Sequence, residues 1–317
     1  MALSVSQLAA ITHRLIIPKA VDNIFGSNPL LKRLKDKGRK FDSGREIVQP
    51  IVYDDVNAVQ EYEGGEVLST ELNDNLTAAT FQWRQYSAFF GVTGREEIIN
   101  DGSKGILNLL KMKQKITEVS FMDKLGTDLQ GTNSTGKKLD GLGLLLDDTS
   151  TSYGGISSTD FSGWVAYVHS LATAGTLSLF ELQKMQGRAT ISGDRPTVQV
   201  TRQSVYDKVW SLIQPDQRFT DSGMADAGFG GVKLNGIPFV VDSHVSGSDY
   251  GSANNFLQML NEAYLDFVTH SRINFKVVPI PQTKDQDVKM VRIFWAGNLI
   301  CSARRMHAVV ETINPTL

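Results

Sequence analysis

The feature that most constrains this chain is the run LTAATFQWRQYSAFFGVTG at residues 76–94, which contains no proline and a single charge, Arg84. Its apolar residues, among them Phe81 and Trp83, alternate with polar ones in the period-two pattern of a β-strand. A strand over residues 77–92 would be roughly 50 Å long at about 3.3 Å per residue, whereas strands of about five or six residues are usual. We therefore expect this strand to extend beyond an ordinary sheet.

The residues that precede this run supply a partner strand. Residues 46–62, EIVQPIVYDDVNAVQEY, form a second strand-like run, in which Pro50 removes a ladder donor and predicts an edge position. The connection EGGEVLSTELNDN at residues 63–75 is acidic and contains glycine, as the tip of a hairpin should. Residues 46–94 are thus predicted to form one long two-stranded hairpin. Because such a hairpin is marginal in isolation, its aromatic face is expected to rest on a neighbouring copy of the chain.

The alternation in the returning strand changes phase near Gln85. Phe81 and Trp83 share one face before this point, and the apolar residues that follow take the other face, namely Tyr86, Ala88, Phe90 and Val92. We expect the outer half of the strand to pack on another subunit, and the inner half to pack on the rest of its own chain.

Charge is distributed unevenly along the chain, although the formal net charge is −2. Residues 30–45 carry seven Lys or Arg against two Asp, and residues 46–94 carry eight Asp or Glu against one Arg. Two interpretations stay open: two solvated surfaces, or opposite charges that meet between subunits and set the register of assembly. From the second interpretation and the aromatic alternation, the candidate intersubunit contacts are Phe81, Trp83, Arg84, Glu61, Glu63, Arg33 and Lys35.

The strongest helix pattern follows the hairpin, at residues 101–130. A helix from Ile106 to Gln130 would span about 37 Å, and it has three candidate capping residues at its start. These candidate caps are Asn100, Asp101 and Ser103. Residues 1–45 also contain helical stretches, but they have too little apolar surface to form a domain alone.

The remainder of the chain predicts a mixture of helices and strands. Helices are predicted near residues 161–174, 177–187 and 204–213. Strands are predicted at residues 196–201, 231–242, 273–280 and 288–313, the last with a two-residue hairpin turn at Gly297–Asn298. This order does not suggest a regular doubly wound sheet.

No motif in the sequence predicts catalysis, a cofactor site or a metal site. The five histidines have no ligand-like spacing, and Cys301, the single cysteine, is interpreted as a small buried side chain. GTNSTGKK at residues 131–138 approaches the phosphate-binding pattern GxxxxGK[ST]. However, Lys138 stands where the metal-binding hydroxyl is needed, and the loop follows a predicted helix instead of a strand. We interpret residues 131–138 as a loop that terminates the helix. Because no catalytic motif was found, we do not expect the chain to be an enzyme.

Simple counts limit the other classes of protein. No apolar run approaches 18 residues, so no membrane span is expected. The first residues lack the pattern of a secretory signal, so the chain is expected to be soluble and intracellular when made. The near-zero net charge argues against a protein that wraps nucleic acid, although residues 32–45 keep a nucleic-acid-binding hypothesis open.

Two long segments carry a family resemblance. Residues 178–245, which begin SLFELQKMQG, and residues 278–313, which begin VPIPQTKDQD, resemble the major capsid proteins of tailed phages with the Hong Kong 97-type fold. The order of parts agrees: an amphipathic arm, a long hairpin, a long helix, an inserted mixed domain and terminal strands. The similarity covers essentially the whole chain but includes no short diagnostic motif.

The resemblance implies an α+β fold made of five parts. These are an N-terminal arm (1–45), an extended loop formed by the long β-hairpin (46–95), a spine helix with the first part of a peripheral domain (96–140), an inserted axial domain (141–264) and the return strands of the peripheral domain (265–317).

The resemblance also implies a structural protein that needs no cofactor. It would assemble with itself into the hexamers and pentamers of an icosahedral shell, in the host cytoplasm, and would reside in the virion around double-stranded DNA without sequence-specific binding. The implied partners are a portal protein, a separate scaffolding protein and a decoration protein. The scaffold is expected to be separate because the arm begins almost at Met1. The alternative is the shell protein of an encapsulin-type nanocompartment, which shares the fold.

The extended loop departs from the family in one respect. Some members link this loop covalently to a neighbour through a lysine, but residues 46–94 contain no lysine. We therefore expect a shell that is held together non-covalently.

Overall fold

The computed structural model describes residues 28–52, 61–66, 76–100, 109–133, 135–148, 152–213, 233–247, 255–280 and 287–315. Within these ranges the chain forms six α-helices and thirteen β-strands. The helices are α1 (Pro29–Lys37), α2 (Gly94–Asn100), α3 (Leu109–Gln130), α4 (Leu142–Leu145), α5 (Leu179–Arg188) and α6 (Gln203–Ile213). The strands are β1 (Arg39–Phe41), β2 (Glu46–Val52), β3 (Leu76–Gln82), β4 (Arg84–Thr93), β5 (Tyr167–Gly175), β6 (Val198–Thr201), β7 (Lys233–Leu234), β8 (Ile237–Val241), β9 (Asn255–Leu260), β10 (Leu265–His270), β11 (Lys276–Ile280), β12 (Val288–Cys301) and β13 (Ala308–Ile313).

The strands form three sheets. Four strands of a five-stranded sheet follow the order β1-β10-β12-β11. The fifth strand, β4, pairs with β12 along the edge opposite from β11. A six-stranded sheet has the order β5-β13-β9-β6-β8-β7, and β2 pairs with β3 in a separate two-stranded ribbon. This combination of sheets and helices confirms the predicted α+β class.

Two apolar cores hold the sheets and helices together. The larger core joins the five-stranded sheet to α1, α3 and the ribbon, and includes Trp295, which is completely buried and stacks on Phe267. The smaller core lies between the six-stranded sheet and the helices α5 and α6. Helix α5 begins after Ser178, whose hydroxyl accepts a hydrogen bond from the Glu181 N–H and caps the first turn.

Most elements of the six-stranded sheet and its helices lie where the sequence predicts them, but one prediction is wrong. The predicted helix at residues 161–174 is instead a turn followed by β5, an edge strand parallel to β13. Short apolar runs do not separate a strand from a helix by periodicity alone. Pairing with β13, from the far end of the chain, decides the outcome here.

The long predicted strand is interrupted at Trp83, so that β3 and β4 belong to different sheets. β3 pairs with β2 over its full length, and β4 pairs with β12. Trp83 lies between the strand that pairs with β2 and the strand that pairs with β12, and its indole N–H donates a hydrogen bond to the Gly44 carbonyl at 2.9 Å. The predicted antiparallel pairing is thus confirmed for β2 and β3, whereas residues 84–93, also assigned to the hairpin by the sequence pattern, pair with β12 instead. Pro50 lies on β2, which has no second neighbour among the described strands, as its edge position requires.

Helix α3 corresponds to the predicted long helix. Its first described residue is Leu109, because residues 101–108 lie outside the described ranges, and with them the candidate caps Asp101 and Ser103. The third candidate, Asn100, is the last residue of α2.

Helix α1 packs on its own chain. Its apolar residues Leu30, Leu31 and Leu34 are buried. The residue before it, Asn28, donates to the Met122 carbonyl on α3 at 2.9 Å, in space that Gly126 leaves open. A side chain at this glycine would collide with Asn28, so the two helices are held in close contact.

The predicted turn at Gly297–Asn298 is wrong, because β12 continues without a break through both residues. A Cβ on Gly297 would collide with the Val268 carbonyl of the neighbouring strand, so glycine is required for close packing. The Asn298 amide is buried and donates to Asp140 at 2.6 Å. Close packing within a sheet therefore explains both residues, and neither of them forms a turn.

The last strand divides the predicted terminal unit 265–317 between two sheets. β10, β11 and β12 lie in the five-stranded sheet, whereas β13 pairs with β5 and β9 in the six-stranded sheet. Arg304 lies where the chain passes from β12 in one sheet to β13 in the other. It is completely buried and donates hydrogen bonds to the carbonyls of Leu145, Trp164 and Asp147. This guanidinium fixes the loops on which the ribbon rests.

Candidate assembly surfaces

The inner face of the β2–β3 ribbon is covered by its own chain. Ile51 and Phe81 are buried against residues 153–164, and the Phe81 ring meets the Tyr153 ring edge-on at 5.2 Å between centroids. The Thr80 N–H donates to the Gly154 carbonyl at 2.8 Å and fixes the ribbon to this segment. Phe81, a predicted intersubunit contact, is 1% exposed and therefore belongs to the core of its own chain.

The outer face of the ribbon is apolar and uncovered. We call it the outer ribbon face; it consists of the cross-strand pairs Val48–Thr80, Pro50–Ala78 and Val52–Leu76. Val48, Val52 and Leu76 are 57%, 69% and 66% exposed, and none of the six residues carries a charge. Sequence reasoning missed this face because it followed the aromatic residues. The available signal was the alternation itself, since the residues between the aromatic positions must point the other way.

Trp83 and Arg84, also predicted as intersubunit contacts, are engaged within the chain. The Trp83 ring packs edge-on against His270 at 5.4 Å, in addition to its hydrogen bond to the Gly44 carbonyl. The Arg84 guanidinium pairs with Asp140 at 3.1 Å and donates to the Gly136 carbonyl. Arg84 thus ties the start of β4 to the loop that follows α3.

That loop contains GTNSTGKK, and its position agrees with the interpretation of a helix-terminating loop. Asn133 donates to Asp140 at 2.6 Å and accepts from the Lys138 N–H at 3.1 Å, so the loop folds back on itself. It follows α3 and not a strand, which is the wrong context for phosphate binding.

Arg33 is paired inside the chain as well. Its guanidinium donates two hydrogen bonds to Glu262, at 2.6 and 2.9 Å, and Lys37 adds a third at 2.9 Å. The Glu262 side chain is 1% exposed, and the hydrogen bond from Arg33 is the largest cause that lowers its pKa to about 2. Lys35, the other predicted basic contact, is exposed and lies over the Phe275 ring at 4.7 Å.

Glu61 and Glu63 lie in the turn at residues 61–66, and both are exposed. No ion pair joins either carboxylate to another described residue. Tyr62 between them is 68% exposed, so the turn presents an acidic surface with one aromatic ring. Of the seven predicted contacts, these two carboxylates and Lys35 are the ones whose surface the chain leaves largely available.

No group of three or more His, Cys, Asp or Glu side chains among the described residues is placed to hold a metal ion. Cys301 is buried, as predicted, and burial raises the pKa of its thiol to about 12. None of the helices in the described ranges combines the length and apolar character that a membrane crossing requires.

Comparisons with known proteins point to a single fold. No protein-family model and no curated protein matches the chain in sequence. The cyanophage A-1(L) capsid matches with a TM-score of 0.70 and 15% identity, over 98% of this chain and 100% of that chain. The capsid of a native GTA particle matches with a TM-score of 0.66 and 12% identity, over 98% and 100%. The holo-SrpI encapsulin complex from Synechococcus elongatus PCC 7942 matches with a TM-score of 0.64 and 10% identity, over 100% and 98%.

At these sequence identities the likeness concerns the fold, and it extends over nearly the whole length of each of the three compared structures. The chain has the fold of phage major capsid proteins, the Hong Kong 97-type fold that its resemblance implies.

Proposed function

We propose that this chain is the major capsid protein of a tailed phage, which assembles with itself into an icosahedral shell around double-stranded DNA. The observation that carries the proposal is the outer ribbon face: a chain with a capsid fold leaves an uncharged apolar surface uncovered on its extended loop. Burial of apolar surface contributes about 25 cal/mol per Å². Many modest contacts of this kind add up to a stable shell through multivalency.

The proposal includes the arrangement and partners that the resemblance implies. Hexamers and pentamers of this chain would form the shell of the virion in the host cytoplasm, with a portal protein, a separate scaffolding protein and a decoration protein. The contacts would be non-covalent, because residues 46–94 contain no lysine. A net charge of −2 suits a container, since packaged DNA must move freely inside it.

A second candidate function is the shell of an encapsulin-type nanocompartment. It is favoured by the encapsulin structure, whose alignment covers the whole of this chain. The two candidates share the contacts between subunits and differ in what the shell encloses.

Electron microscopy of the purified protein tests the proposal. We expect closed shells that dissociate completely into single chains when boiled in detergent, and phage-derived particles that contain nuclease-resistant DNA. Shells that enclose a protein and no DNA would favour the nanocompartment. A ladder of covalently linked chains would contradict the non-covalent contacts, and a chain that stays monomeric at high concentration with every candidate scaffold would contradict assembly itself.

A matched pair of variants tests the outer ribbon face. Val52→Glu places a charge on this face and should lower the yield of shells at least tenfold, because a buried unpaired carboxylate is costly. Val52→Thr keeps the β-branched shape without a charge and should retain most of the yield. Thermal unfolding of both single chains should match that of the unmodified chain, because Val52 is 69% exposed. Normal shells from Val52→Glu would remove this face from the assembly contacts.

A further inference from the structure

A second uncovered surface, which is basic instead of apolar, follows α1 and the edge strand β1. Residues 29–45 contain seven Lys or Arg and two Asp. Glu262 binds two of these cations, Arg33 and Lys37. Asp266 binds a third, Arg39, at 3.0 Å. The other four are exposed and form no ion pair with a described residue, namely Lys32, Lys35, Lys40 and Arg45.

Helical spacing explains which cations of α1 stay unpaired. Arg33 and Lys37 are four residues apart and therefore lie on the same side of the helix, where both reach Glu262. Lys32 and Lys35 are three residues apart, and they share a different side that is exposed. The chain thus uses one basic side of α1 internally and leaves the other side uncovered.

The segment that follows β10 extends this basic surface. β1 pairs with β10, which leads directly into this segment. The Lys35 ammonium group lies 4.7 Å from the centre of the Phe275 ring. Arg272 and Lys276, on either side of that ring in the sequence, are exposed, and neither forms an ion pair within the described part of the chain. We call the six unpaired cations the basic edge: Lys32, Lys35, Lys40, Arg45, Arg272 and Lys276.

Few carboxylates offset these charges. Asp36 and Asp42 lie among the cations and are exposed. Asp42 accepts a hydrogen bond from the hydroxyl of Ser271, the residue before Arg272, so the two segments of the basic edge meet there. The surface therefore has six cations against two carboxylates, whereas the whole chain has a formal net charge of −2.

The composition of the basic edge favours a polyanion over a second protein surface. Residues 29–45 include one exposed large apolar side chain, Phe41, so the surface lacks the apolar centre of a typical protein interface. Lysine, which supplies four of the six cations, is depleted in protein interfaces. Lysine and arginine are the usual partners of nucleic-acid phosphates, and duplex DNA carries one such negative charge per about 1.7 Å of its length.

We propose that the basic edge contacts the phosphate backbone of the double-stranded DNA inside the shell, so that the exposed side of α1 faces the lumen. This inference rests on the proposed function, because it requires a shell that encloses DNA. A lysine ammonium group is a point charge on a flexible stem, and its contacts with phosphates do not depend on sequence. Such contacts let the DNA slide, so they agree with a container in which packaged DNA moves.

Fluorescence anisotropy of a short labelled DNA duplex, titrated with the single chain at a series of salt concentrations, tests the contact. The basic-edge variant combines Lys32→Gln with Lys40→Gln. The matched control combines Lys137→Gln with Lys233→Gln, two exposed lysines elsewhere that have no ion pair with a described residue. We expect the basic-edge variant to bind the duplex about tenfold more weakly at low salt. The slope of log K against log salt should fall by about 0.9 for each lost phosphate contact.

The control decides between this surface and general attraction by positive charge. A loss of affinity and of salt slope in the basic-edge variant, with the control unchanged, supports the proposal. Equal losses in both variants would overturn it, as would a failure of the unmodified chain to bind the duplex at low salt. Tighter binding of poly-glutamate than of the duplex would assign the basic edge to an acidic protein and would also overturn the proposal.

Labelling of closed shells tests the side on which the basic edge lies. In shells of Lys32→Cys, a small maleimide that passes through the shell should react, whereas a maleimide on a long polyethylene glycol chain should react only after the shells are dissociated. Cys301 does not compete, because it is completely buried. Reaction of closed shells with the long reagent would overturn the lumenal contact and leave the proposed function standing. Failure of the unmodified chain to form shells would overturn the proposed function and the lumenal contact with it.

Discussion

Helix α1 and the β2–β3 ribbon are the two segments that the sequence predicts to contact a neighbour, and the chain uses their surfaces very differently. Two of the charges of α1 are used within the chain: Arg33 and Lys37 both bind the buried carboxylate of Glu262. The ribbon divides its surface, with Phe81 inside its own core and Val52 exposed on the outer face.

The difference follows from the cost of burying each kind of group. A carboxylate that is 1% exposed must be paired, so Glu262 holds its cations inside the chain and leaves less charge for a neighbour. An apolar side chain in water costs less to leave uncovered and gains when it is buried on assembly. Charge therefore ties α1 to its own chain, and uncharged apolar surface stays exposed on the outer face of the ribbon.

The largest expected effect separates the two faces of the ribbon. Phe81→Ala should lower the free energy of unfolding of the single chain by about 3–5 kcal/mol, because it removes a fully buried aromatic ring and leaves a cavity beside Tyr153. Val52→Ala, on the outer face of the same ribbon, should change it by less than about 0.5 kcal/mol. Denaturant unfolding of both variants gives the comparison.

Similar losses in the two variants would mean that the ribbon buries both faces in the single chain. An unchanged stability for Phe81→Ala would mean that its inner face does not pack on residues 153–164. Either result would remove the distinction between a face that folds the chain and a face that joins chains.

The next effect concerns α1. Arg33→Gln should lower the free energy of unfolding by about 1–2 kcal/mol, because the buried Glu262 keeps Lys37 as its remaining cation. Lys32→Gln, an exposed position on the same helix, should have no measurable effect. If neither substitution changed the free energy of unfolding of the single chain, Arg33 would again be a candidate for contacts between subunits.

The acid dependence of this junction has a definite sign. The pKa of Glu262 is lowered to about 2 from a usual value near 4.5, chiefly by the hydrogen bond from Arg33. Its contribution to stability is therefore complete above about pH 4.5 and is lost as the pH falls toward 2. The Arg33→Gln variant should lose less stability over this interval than the unmodified chain. The outer ribbon face carries no titratable group, so it should not share this dependence.

The α+β class, the β2–β3 hairpin, α3 and the helices α5 and α6 could be predicted, because each shows a periodic pattern of its own. The sequence could not predict which face of the ribbon is covered by the rest of the chain. Alternation separates two faces but does not say which one meets residues 153–164, and the burial of Phe81 depends on that distant segment.

Contacts between distant residues explain the other differences. Gly297–Asn298 has the composition of a turn, but Asn298 serves Asp140, which lies 158 residues earlier. Arg33 lies in a basic run that suggests a free arm, and its partner Glu262 is 229 residues away. A single sequence contains no signal for either pairing, and each pairing reverses the local prediction.

A second junction titrates in the opposite direction from that of α1. His244, in the turn after β8, has one ring nitrogen 2.8 Å from Asp242 and the other 2.9 Å from Asp123 on α3. Both nitrogens can donate only when the ring carries both protons. The hydrogen bond to Asp242 is the largest cause that raises the pKa of His244 above 6.5, against the opposing effect of burial. Arg202 binds the carbonyls of the same turn and adds a positive charge nearby.

The smallest expected effect follows from this arrangement. Because the folded-state pKa of His244 is raised, its contribution is complete below about pH 6.5 and is lost as the pH rises through the folded-state value. Between pH 6 and 8.5 the unmodified chain should therefore lose about 0.5–1 kcal/mol more stability than His244→Gln. Parallel stability profiles over this interval, or a ring titration by NMR below pH 6.5, would show that α3 and the β8 turn are not joined by a protonated histidine. If the profiles diverge as expected, the α1 junction weakens in acid and the α3 junction weakens in base, whereas the outer ribbon face, which carries no titratable group, should show no pH dependence of its own.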